Sequence, residues 1–155
     1  MMYSFYVTIH AQPADATVGS HVALGGRTLR TLCLAPEALS TTTMDCSFET
    51  ARQRLEQLER MFCEPDGSLV WVSPQGDPAW QVDGNLYDRN ERLLFVDLKG
   101  TCPPDAFDQF LAALGWPETK LMFQLTREAI FLDEAEFRRY AQGVSSDGSI
   151  AGERR

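Results

Sequence analysis

The sequence predicts an α+β domain in which a mixed β-sheet is flanked by helices. Three observations carry this. Runs rich in β-branched and aromatic residues, broken by Gly, Pro and Asp-Gly, recur along the chain. Two other segments space their apolar residues by three and four, the stripe of a helix lying on a sheet. The strand-like runs also crowd between those two segments, so that three strands follow one helix and precede the next. With 155 residues, 44% of them apolar, the chain is of a size to bury one core, and residues 1–143 are assigned to a single domain.

Residues 1–40, with "YSFYVTIHAQP" and "HVALGGRTLRTLCLAP", predict two or three strands and a turn at Gly25-Gly26, in an architectural role. The segment "MDCSFETARQRLEQLERMFC" predicts a helix whose stripe is Phe48, Ala51, Leu55, Leu58 and Phe62, with Glu49, Arg52, Glu56, Glu59 and Arg60 on its other sides. "EPDGS" is a turn that launches the strand "LVWVS", closed by Pro74 and Gly76. Two more strands, 79–87 and 92–98, are joined by a polar turn. In "PPDAFDQFLAALGWP", Pro104 and Asp105 start a helix that buries Phe107, Phe110, Leu111 and Leu114 and is stopped by Gly115 and Pro117. "KLMFQLT" is another strand. The 127–143 region holds a last helix with a capping box, Asp133 as cap and Glu136 reaching back, ending near Gly143. Residues 144–155 read as a disordered tail.

The formal charge is −8, from 22 acidic and 14 basic side chains. It argues against broad electrostatic attraction to nucleic acid, although a bound divalent cation reverses the sign locally. Cys33, Cys46, Cys63 and Cys102 show no C-x-x-C spacing, and His10 and His21 lie far from three of them, so zinc is not expected. The cysteines read as reduced and mostly buried, and a catalytic thiol lacks a partner. No stretch is long and apolar enough to span a bilayer, and "MMYSFYVTIHAQ" has neither the basic nor the apolar segment of a signal peptide. The expectation is a soluble cytoplasmic protein with no membrane partner. No G-x-G-x-x-G or P-loop marks a cofactor site.

Chemistry concentrates in "WQVDGNLYDRNERLLFVDLKG". Asp97 and Lys99 are two apart and project from one face of a regular strand. A turn of three or five residues brings Asp83 opposite Asp97, whereas a four-residue turn sends the acids to opposite faces unless a bulge restores the parity. Facing carboxylates repel by up to about 1 kcal/mol, so the arrangement needs a cation, either Lys99 or a metal ion. Oxygen ligands of this kind suit Mg or Mn, which leave positions to water and phosphate oxygens. With Lys99 stabilising charge in the transition state, the set suits phosphodiester hydrolysis.

Asp83, thirteen intervening residues, then Asp97-Leu98-Lys99 after the apolar run "LLFV" resembles the PD-(D/E)xK motif of restriction-endonuclease-like nucleases. The order helix, three strands, helix, strand over 46–126 is similar to the core of that family, with N-terminal strands added. The resemblance covers about half the chain. It implies a metal-dependent nuclease acting on DNA or RNA, with Asp83 and Asp97 as metal ligands, Lys99 as the catalytic lysine, and Glu56 or Glu59 as a further ligand. Val82 stands where the family has its nominal proline, and Gly84 is less typical.

The alternative is a non-catalytic protein-interaction or regulatory domain. On that reading Asp83, Asp97 and Lys99 form a structural ion-pair cluster, and Glu56 and Glu59 belong to a solvated helix face beside arginines. Trp71, Trp80 and Trp116 sit among apolar neighbours, as core residues do. A positive rim beside Asp97 favours the nuclease, and a negative one favours a protein partner.

Overall fold

The computed structural model describes residues 1–74 and 79–143, so the predicted tail and the turn residue Gly76 lie outside the described residues. Nine strands form one sheet in the order β2-β3-β9-β8-β1-β7-β6-β5-β4. The strands are β1 (Tyr3–Ala11), β2 (Thr17–Leu24), β3 (Arg27–Cys33), β4 (Met61–Cys63), β5 (Ser68–Val72), β6 (Gln81–Arg89), β7 (Arg92–Cys102), β8 (Leu121–Leu125) and β9 (Ile130–Asp133). The helices are α1 (Ala38–Thr41), α2 (Phe48–Leu55), α3 (Pro104–Ala113) and α4 (Glu134–Gln142). The class is α+β as expected. The sheet expected to be mixed is instead antiparallel in every pairing among the described residues. The consecutive pairs β2–β3, β4–β5, β5–β6, β6–β7 and β8–β9 are hairpins, whose short turns enforce that direction.

The N-terminal strand is no accessory. β1 lies between β7 and β8, antiparallel to both, so the strand that follows α3 never touches β7. Its residues explain the central place: Tyr3, Phe5, Val7, Ile9 and Ala11 are all buried on one face, and Ser4, Thr8 and His10 are buried on the other. The first face carries the helices. Ala51 and Leu55 of α2, Phe107, Phe110 and Leu111 of α3, and Phe137 and Ala141 of α4 share one core with Val82, Leu86, Val96 and Leu98. Stacked rings of Phe123 and Phe137, 4.6 Å apart, tie α4 to β8.

The helix predicted over 44–63 is shorter in the structure than its periodicity suggests. α2 ends at Leu55, Arg60 takes a left-handed conformation (φ 61°), and Met61–Cys63 pair with Leu69–Trp71 as β4. Sheet pairing wins over helix propensity here, and Phe62, expected in the helix stripe, projects from the strand with 59% of its surface exposed. The capping box of α4 is half realised. Asp133 accepts the Glu136 N–H at 2.9 Å, while the Glu136 carboxylate turns away to the Arg30 N–H at 2.6 Å on β3. That bond fastens the β2–β3 hairpin to α4.

Candidate functional site on the open sheet face

β6 and β7 turn on two residues only, Asn90 and Glu91, both with positive φ (52° and 69°). Such a turn follows the twist of the strands but favours Gly at its second position. Glu91 is held there from outside: its carbonyl accepts the Phe48 N–H at 2.8 Å, and its N–H donates to Asp88 at 3.1 Å. A bulge between Tyr87 and Asp88 then shifts the register, so that Asp83 faces Lys99 and Asn85 faces Asp97. Asp83, Asp97 and Lys99 therefore do share one face. The two acids stand as diagonal neighbours, roughly 7–8 Å apart by sheet geometry, and not opposite each other. Gly84 between them is required by the close approach of β7, since a Cβ there would meet the Asp97 carbonyl and lie 2.6 Å from Leu98 Cδ2.

The registers set these residues in two rows across the face without helices. One row runs Phe62, Val70, Asp83, Lys99, Tyr6 over five strands. The next runs Ser68, Asn85, Asp97, Thr8, Gln124. Each charge has a partner of its own. Asp97 accepts the Thr8 hydroxyl at 2.8 Å, Asp83 accepts the Gln81 amide at 2.9 Å, and Lys99 Nζ lies 5.3 Å from the centre of the Tyr6 ring, within cation–π range. Lys99 is the one cation in these two rows.

Glu56 and Glu59 are not brought to the acids. Glu56 caps the C-terminus of α2 and pairs with Arg52 at 3.0 Å. Glu59 lies beyond it, its carbonyl accepting the Trp71 indole N–H at 3.1 Å. Both belong to the helix-covered side, and the sheet separates them from Asp83 and Asp97. Among the described residues no three His, Cys, Asp or Glu side chains converge as a metal site.

The open face divides into two halves. Beside the acids, Val70, Tyr87, Tyr6 and Phe62 are exposed, with Tyr87 stacked on Phe95 at 4.6 Å. Toward β8 the same face is closed: Thr8, His10 and Met122 are buried. His10 Nε2 shares a 2.9 Å hydrogen bond with Gln124 Oε1, and its Nδ1 has no partner. Burial lowers its pKa below the ordinary histidine value, against the Gln124 bond and the Asp97 charge, which raise it.

Cys46, Cys63 and Cys102 are buried free thiols, and Cys33 is exposed. Burial pushes Cys63 up to about 11 and Cys102 up to about 12, so neither supplies a thiolate near neutral pH. Trp116 is half-buried, its indole N–H donated to Glu134 at 2.7 Å.

Tyr6, Thr8, Val70 and Tyr87 are members of this surface that the sequence reading passed over, and Phe62 is one that it assigned to a helix stripe. For β1 the signal was present, because Ser4, Tyr6, Thr8 and His10 alternate with Tyr3, Phe5, Val7 and Ile9. Among the described residues no helix is long and apolar enough to cross a membrane. No family model, curated protein or solved structure matches the chain.

Proposed function

We propose that this chain is a non-catalytic binding domain whose open sheet face takes a protein partner with a basic surface. The observation that supports this best is the five-strand row Phe62, Val70, Asp83, Lys99, Tyr6. It sets exposed aromatic and aliphatic side chains around one acid and one base, the mixture typical of protein interfaces. The overall charge of −8, with Lys99 the one cation in the two rows, favours a basic protein over a nucleic acid as the occupant. The acids then serve as polar contacts held in place by Thr8 and Gln81.

A second reading rests on the shared face of Asp83, Asp97 and Lys99, which the PD-(D/E)xK resemblance requires. On it Asp83 and Asp97 would hold Mg or Mn, which would supply activated water for phosphodiester cleavage of DNA or RNA, and Lys99 would steady the phosphate. Glu56 and Glu59 take no part.

One pair of titrations separates the readings. Mn or Mg is added to the wild type and to Asp97→Ala, and thermal unfolding is followed, since an ion bound to the native state raises its stability. The binding-domain reading expects no metal-dependent shift in either protein at millimolar ion. A shift in the wild type that Asp97→Ala abolishes overturns it in favour of the nuclease. The positive arm uses basic proteins captured by the wild type and then purified. Their affinity, read by calorimetry, must fall at least about tenfold with Phe62→Asp or Tyr87→Asp, the loss of one central contact.

A further inference from the structure

The sheet ends on two unlike edges. β4 offers three residues, Met61–Cys63, whereas β2 offers eight, Thr17–Leu24. Natural sheets guard an edge with lysine, proline or a covering element, because unpaired N–H and C=O groups invite another strand. From Ala16 to Gly26 there is no acid, lysine, arginine or proline, and no described strand lies outside β2. The one irregularity, a bulge between Val18 and His21, leaves His21–Leu24 as a regular stretch.

The neighbouring strand fixes which of these residues face outward. The Arg30 N–H is donated to Glu136 at 2.6 Å, and the Thr28 carbonyl accepts from Arg139 at 2.6 Å, both on α4. The backbone of Thr28 and Arg30 is thus turned away from β2. In an antiparallel pair the opposite residues turn away as well, so Ala23 and His21 present N–H and C=O to the edge, while Val22 bonds back to Leu29. Among the described residues no backbone bond outside the strand ladder reaches those groups. The α4 contacts, with Arg27 donating to the Arg139 carbonyl at 2.9 Å, also hold the hairpin in place before any partner arrives.

We propose that this edge pairs antiparallel with the same edge of a second copy of the chain, around a twofold axis at Val22. The axis sets His21 against the partner's Ala23, and Ala23 against the partner's His21, each pair exchanging N–H and C=O in both directions. Charge selects the occupant. A chain of charge −8 repels its copy in most approaches, but the uncharged stretch from Ala16 to Gly26 brings no acid to an acid. The same stretch has no carboxylate for the basic partner assigned to the open face and no lysine or arginine for an acidic one. β2 and the Phe62 strand β4 stand at opposite edges, so the pairing is independent of that partner. The contact is short, at the low end of interface size, and the dissociation constant expected is about 10–100 μM.

Sedimentation equilibrium of the full chain from about 5 μM to about 1 mM brackets that constant. The expected result is a shift from monomer to dimer, with the His21 and Ala23 amides exchanging quickly in dilute solution and slowly in concentrated solution. Ala23→Pro removes an outward N–H, spares the ladder to β3 and is expected to weaken the dimer at least about tenfold. Ala23→Lys installs the usual guard of an edge and is expected to do the same without altering the backbone. Circular dichroism of the dilute variants separates lost pairing from a lost fold, and if the proline variant departs from the wild type, the lysine variant decides. Phe62→Asp is expected to dimerise like the wild type. A chain that stays monomeric at about 1 mM overturns the proposal. So do folded Ala23 variants that dimerise as well as the wild type, His21 and Ala23 amides equally protected at every concentration, or a dimer that Phe62→Asp abolishes.

Discussion

On β7, Val96, Leu98 and Cys102 are buried in the helix-covered core, while Asp97 and Lys99, one residue out of step, meet polar partners and solvent on the other face. β6 repeats the division, with Val82 and Leu86 inward and Asp83, Asn85 and Tyr87 outward. The same hairpin thus carries two patterns of different physical weight. The inward one removes apolar area from water and fixes register, because a slip of one residue would exchange the faces. The outward one is held by single hydrogen bonds and a cation–π contact, each worth little, so its residues are free to serve a partner without upsetting the fold.

The strongest way to break that contrast is Leu98→Ala. Leu98 is 2% exposed, and its truncation is expected to cost about 2–5 kcal/mol in urea unfolding, from lost transfer energy and an unfilled cavity. A loss below about 1 kcal/mol would mean that the helix-covered core does not depend on this strand.

The two patterns were not equally legible. The three-four spacing of the α3 segment predicts Phe107, Phe110, Leu111 and Leu114 as its buried stripe, and all four are buried. The α3 boundaries also carried clear chemistry, Pro104 at the start and Gly115 (φ 107°) just past the end. The site was legible only up to parity. Asn90-Glu91 lacks the glycine that marks a two-residue turn, and the bulge at Tyr87 and Asp88 leaves no local mark, so the pairing of Asp83 with Lys99 was hidden. β4 was hidden for another reason. Leu58 and Phe62 continue the helical spacing, and only the long-range pairing with β5 makes 61–63 a strand. Which strand lies beside β7 is likewise a tertiary fact, since β1 is about ninety residues away in sequence.

The closed half of the open face gives a weaker but sharper test, through His10. Its native pKa lies below the ordinary value, so at pH below about 6.5 the unfolded chain binds a proton that the folded chain refuses. Its contribution to stability is complete above that pH and falls as pH drops toward the native pKa, by at most about 1.4 kcal/mol per pH unit. Unfolding midpoints measured from about pH 7.5 to 5.5 should decline more steeply in the wild type than in His10→Gln. Gln retains a polar group toward Gln124 and does not titrate, and the carboxylates common to both proteins cancel in the comparison. Parallel profiles would show that His10 takes up its proton alike in the folded and unfolded chain, with Gln124 and Asp97 offsetting desolvation.

The smallest effects are expected where the charges are. Asp83→Asn and Lys99→Ala should each change the unfolding free energy by less than about 0.5 kcal/mol, because both side chains are exposed and surface pairs contribute little. A double-mutant cycle adds the informative quantity, the coupling between them, since they face each other across β6 and β7. Coupling near zero leaves the row energetically idle in the free protein, as a surface reserved for a partner requires. Coupling above about 1 kcal/mol would instead make the pair a structural clamp on the hairpin. In that case the exposed Val70, Phe62 and Tyr6 beside it, and not the charges, would have to carry any interaction with a partner.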